Sequence, residues 1–170
     1  MSKSTGESGA RVLMFAPRGM PRLRAAEPGS SVLTSPADAH AVEIDLQAQI
    51  DRLHAVKTEL ELSYWDHPGE GDGAQGERYQ IMFWIVQVAG RAAALEGILM
   101  HKGVPRVRVR AGSARRAKEI GDACRLLETD MPEGLPFEAV RCHVAAILRA
   151  GDTVGLAAAG GFAIDGPPRF

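Results

Sequence analysis

From Ile81 to Met100 the chain reads IMFWIVQVAGRAAALEGILM, and only Gln87, Arg91 and Glu96 in it are strongly polar. The pattern predicts a helix over about 76–101, and a helix apolar nearly all round must be covered on most sides. The rest of the chain, or a second copy of it, has to supply the cover. A membrane span is the rival reading. Arg91 and Glu96 near its middle would each cost about 2–3 kcal/mol or more in hydrocarbon, and the stretch barely reaches spanning length. The expectation is a helix buried in protein and no membrane association. Gly90, Ala93 and Gly97 form a strip of small residues along which another helix could approach closely.

A first helix is predicted over 36–66. Ser35 suits the N-cap, Pro36 the first helical position and Asp38 the first turn. Val42, Leu46, Ile50, Leu53, Val56 and Leu60 fall within a stripe about 120° wide at 100° per residue. Gln49 lies inside that stripe, where it either fixes the register of a helix pair or sits at a helix crossing. Pro68 and the glycines of HPGEGDGAQG end the helix.

Beyond the apolar helix, Val104, Val107 and Val109 alternate with Arg106, Arg108 and Arg110, which predicts a short extended segment near 104–110 with its arginines on one face. Ser113 caps a third helix over 113–130, with Ala117, Ile120, Cys124 and Leu127 inward. Pro136 opens a fourth helix over 136–150, with Phe137, Val140, Val144 and Ile147 inward and Gly151 as its C-terminal glycine. The expected fold is therefore all-α: a long helical hairpin packed with a shorter one, a four-helix arrangement. Residues 1–35 read as a flexible tail rich in Gly, Pro, Ser and Arg. Within it, Val12, Leu13 and Phe15 could serve as a docking peptide. The Gly/Ala-rich segment 152–170 reads as a short strand beside the valine–arginine run or a coil over the core. No secretory signal pattern is seen near the start.

Charge is distributed unevenly. The formal net charge of the chain is −1, so no global field draws it to nucleic acid. Residues 38–77 nevertheless hold ten acids and two bases, and residues 101–118 hold seven bases and no acid. The basic run is Lys102, Arg106, Arg108, Arg110, Arg115, Arg116 and Lys118. It either answers the acidic segment within the chain or between subunits, binds nucleic acid, or lies solvated. Sixteen Arg against four Lys suggests a GC-rich, bacterial genome, which weakens any inference from arginine content alone.

No Walker loop, dinucleotide fingerprint, nucleophile elbow or H-E-x-x-H motif occurs. Tyr64, Trp65, Tyr79, Phe83 and Trp84, five of the nine aromatics, crowd the expected bend between the first two helices. They either fill the end of the core or, with the carboxylates nearby, hold a cationic side chain of a partner. His40 with Glu43, and Asp51 with His54, are spaced to share a helix face, but too few inward carboxylates accompany them for a di-metal bundle. Cys124 and Cys142 are expected to be free thiols of a reducing, cytoplasmic setting. Taken together, the residues predict a non-enzymatic interaction protein without metal or cofactor. Its partner would be a protein, and it would form a homo-oligomer, most simply a dimer. A nucleic-acid-binding regulator using the basic run is the alternative, and an enzyme with a site on the second helix and the 66–77 loop a third reading.

Overall fold

The computed structural model describes residues 40–67, 71–131 and 134–164. The tail assigned to 1–35, its docking peptide and the proposed cap at Ser35 lie outside them. The described chain is mostly helical, with four helices and a small three-stranded antiparallel sheet. It is therefore not purely α.

The first departure is at the start. Residues Ala41–Asp45 form a strand, β1, and helix α1 begins only at Leu46 and runs to Asp66. The cap is Asp45, in extended conformation, whose carboxylate accepts from the Ala48 N–H at 3.1 Å. The strand forms because a partner exists for it: β2, Arg106–Arg110, lies antiparallel beside it with Glu43 opposite Arg108 and Asp45 opposite Arg106. Opposite charges on directly facing residues favour such a pair. Val42, placed in a helical stripe by spacing, belongs instead to this strand. The Leu46 N–H donates to the Pro105 carbonyl at 2.7 Å, which ties the helix start to the same strand.

The second helix, α2, spans Asp72–Lys102 and starts four residues before the expected position, through Gly73 and Gly76. His67 Nε2 and Glu77 Oε2, 2.8 Å apart, join the end of α1 to this first part of α2. Gly103 closes α2 in left-handed conformation, its N–H donating to the Leu99 carbonyl at 2.8 Å. Strand β2 buries Val107 and Val109 and exposes its three arginines, as the alternation predicts.

Helix α3, Ala114–Glu128, is capped by Ser113, whose hydroxyl accepts from the Arg116 N–H at 3.2 Å. Helix α4 runs from Phe137 to Ala159, well past the expected stop at Gly151. Gly151 is buried inside the helix, where an added Cβ would come within 3.1 Å of Arg91 Cγ, so this glycine admits a side chain of α2. The apolar stripe Val144, Ile147, Ala150, Val154, Ala157 and Ala158 continues through it. Strand β3, Phe162–Ala163, then pairs with β2, so the end of the described chain is a strand beside the valine–arginine segment.

Helix α1 packs along α2, α3 along α4, and α2 also meets α4. Their shared core contains Leu46, Leu53, Leu60, Leu95, Ile120 and Ile147, all fully buried. Gln49 is buried at the crossing of α1 with α3, where its Nε2 donates to Glu128 Oε1 at 3.2 Å.

Candidate interaction surfaces

The five clustered aromatics divide into two groups. Trp84 points inward, buried and stacked on Phe137 with centroids 5.4 Å apart. Tyr64 is half-buried, with the Arg78 guanidinium 4.7 Å over its ring and Trp65 edge-on to it at 5.3 Å. Trp65, Tyr79 and Phe83 are exposed. Part of the group thus fills the core, and part leaves large apolar surface on the outside of α1 and α2.

That surface extends along α2. At 100° per residue Tyr79, Met82, Phe83, Val86, Gly90, Ala93, Gly97 and Met100 share one stripe, and all eight are exposed. The opposite face carries Ile81, Trp84, Val88, Ala92 and Leu95, all buried. The helix is apolar all round, yet the described chain covers only part of it. By length and composition the stretch Gly73–Lys102 is also long and apolar enough to cross a membrane.

The basic run is engaged within the chain. Arg108 meets Glu43 at 2.7 Å and Arg106 meets Asp45 at 3.5 Å, both across the sheet. Lys102 Nζ donates to the Gly161 carbonyl at 2.8 Å, and the Arg110 guanidinium lies 5.4 Å from the Phe162 ring centroid. On α3, Arg115 and Arg116 meet Glu119 at 3.1 and 3.2 Å, and Lys118 meets Asp122 at 2.7 Å. Hydrogen bonds from Arg116 and then Arg115 hold the Glu119 carboxyl below its ordinary pKa, and Lys118 and then Arg125 do the same for Asp122. Among the described residues, the acidic segment 38–77 answers the run through Glu43 and Asp45. The remaining acids come from α3 itself.

An open groove of about 560 Å³ lies between α1 and the connection from α3 to α4. Leu62, Met131, Leu135 and Val140 give it apolar walls, and Glu59 and Asp130 give it acidic ones. Behind it, Arg52 reaches Asp130 at 2.9 Å, Glu59 at 3.8 Å and the carbonyls of Leu127 and Thr129 at 3.0 and 2.8 Å. The sequence reading does not find this groove, because its lining comes from separate segments with no common motif.

Both cysteines are free. Burial, and secondarily the Glu128 charge, push the Cys124 thiol up to about 11, which makes it a poor nucleophile near neutral pH. His40 and Glu43 do not share a helix, since Ala41–Asp45 is a strand, and His54 instead meets Glu96 at 2.8 Å. Among the described residues no group of three or more His, Cys, Asp or Glu is placed to hold a metal ion. No family model, curated protein or solved structure matches the chain.

Proposed function

We propose that this chain is a non-enzymatic helical interaction protein of the cytoplasm, an adaptor, assembly or regulatory factor acting through protein–protein contacts. The supporting observation is the exposed apolar face of α2 with Trp65 beside it on α1, on a domain whose helices share one buried hydrophobic core. Exposed patches of that kind mark contact surfaces. The packing of α1 with α2 and of α3 with α4 supports a long helical hairpin backed by a shorter one. Homo-oligomerisation is part of this reading.

A second reading, nucleic-acid binding, draws on the outward arginines of β2 and the exposed Phe162 beside Arg110. Glu43 and Asp45 on the same sheet count against it, because a phosphate-binding face needs spare positive charge. Fluorescence anisotropy with labelled duplex DNA and single-stranded RNA across a salt series separates the two. The protein-contact reading expects no binding beyond a weak low-salt signal. Tight binding that falls steeply with salt and is lost in Arg115→Glu/Arg116→Glu would replace it with the second reading. Turnover of a substrate by the pure protein, lost on changing one polar residue, would overturn both.

A further inference from the structure

We propose that the outward face of α2 seats a second copy of this chain, packed antiparallel about a two-fold axis beside Gly90. The proposal rests on the protein-contact reading above and names the partner.

Three observations carry it. The first is area. Tyr79, Met82, Phe83, Val86 and Met100 are between 46% and 84% exposed on one stripe. With the small residues between them they offer on the order of 700 Å² of apolar surface, above the roughly 300–600 Å² of the largest patch on a typical lone chain. A standard interface buries roughly 800 Å² per partner, so one such contact covers the stripe.

The second is glycine. A Cβ added at Gly90 or Gly97 would meet nothing within 4 Å. Glycine is unfavourable in a helix interior relative to alanine, and packing among the described residues gives neither position a reason to lack a side chain. Both face outward on the same stripe. Close approach of another helix supplies the reason.

The third is shape. From Tyr79 to Val86 the stripe is built of large residues and from Gly90 to Gly97 of small ones, with Met100 closing its C-terminal end. Antiparallel pairing about Gly90 sets Phe83 of one copy level with Gly97 of the other, and Val86 within one residue of level with Ala93. Large side chains then enter the gaps left by small ones on either side of the axis, in both directions, as an isologous interface requires, and Tyr79 packs on Met100 at each end. A parallel pair would instead set Phe83 on Phe83 and leave Gly97 facing Gly97.

The edges of the stripe agree with a protein partner. Arg91 on one edge is paired with Asp152 at 3.0 Å, and Glu96 on the other meets His54 at 2.8 Å. An apolar centre with a polar rim is the anatomy of a protein interface. A bilayer fits poorly. Helix α1 packs along α2 and carries Arg52, Lys57, Glu59 and Glu61, so a crossing by α2 would bring those charges into hydrocarbon.

Sedimentation velocity of the full chain across the micromolar range tests the proposal. The expected species is a dimer. Val86→Glu and Gly97→Leu, both outside the core, should each raise its dissociation constant at least about 100-fold with the helical circular dichroism retained. In a Cys124→Ser/Cys142→Ser background, Gly90→Cys should form a disulfide-linked dimer with oxidised glutathione, because the axis brings the two copies of residue 90 within disulfide reach. A monomer throughout the range overturns the proposal and leaves protein contacts with other partners to be judged separately. A dimer indifferent to both Val86→Glu and Gly97→Leu also overturns it, and places the interface elsewhere. A monomer that floats with phosphatidylcholine vesicles overturns it in favour of a lipid surface.

Discussion

Trp84→Ala is expected to lower unfolding stability by about 3–5 kcal/mol, whereas Trp65→Ala should change it by less than about 0.5 kcal/mol. The two tryptophans lie in one aromatic-rich stretch but in opposite environments. Trp84 is 5% exposed and stacks on Phe137 at the start of α4, so truncation leaves a cavity between α2 and α4. Trp65 is 74% exposed and touches the edge of Tyr64. Urea unfolding followed by circular dichroism reads both. Equal losses would mean that Trp65 is buried after all, and the outer surface would lose its aromatic anchor.

Arg52→Met should cost about 1–3 kcal/mol, chiefly because it strips the donor from the carbonyl of the buried Leu127. The Arg52 side chain is 15% exposed and binds the last carbonyls of α3 through Leu127 and Thr129. Its loss orphans the Leu127 carbonyl and leaves the partly buried Glu59 carboxylate without its cation. The methionine stem keeps most of the packing, so the measured loss reports the polar contacts. Asp130→Asn is the control. That side chain is 91% exposed, so its ion pair with Arg52 is worth no more than about 0.5–1 kcal/mol. Similar losses from both variants would show that Arg52 acts through one surface ion pair and not as a clasp between α1 and α3.

Helices α2, α3 and α4, the Ser113 cap and the arginine face of β2 are legible because each is written in local spacing. Strand β1 is not. Val42 fits both a helical stripe with Leu46 and Ile50 and an alternating strand with Ile44, and the tie is broken by Arg106 and Arg108, far along the chain. Gly151 looks like a helix end in isolation. It is an interior position whose missing Cβ makes room for Arg91, a contact that no local pattern records. The opposed charge segments mislead for a related reason. A count that stops at Lys118 omits Glu119 and Asp122, which lie one helical turn from the cations they bind.

The exposure of α2 is likewise a tertiary fact. Composition shows that the helix is apolar all round, and a two-layer pairing of hairpins suggests that its faces are covered. The structure covers one face, with α1 and α4, and leaves Phe83 and Val86 outside. Many charged side chains, by contrast, find partners among the described residues.

Photocrosslinking in cells is the most direct test of the claim that this protein works through apolar protein contacts. A benzoylphenylalanine placed at Phe83 or Trp65 is compared with one at Lys118 on the basic helix. The account predicts discrete protein adducts from Phe83, including one of twice the chain mass, further adducts from Trp65, and none from Lys118. Nucleic acid captured from Lys118, with no protein adduct from either aromatic position, would contradict it.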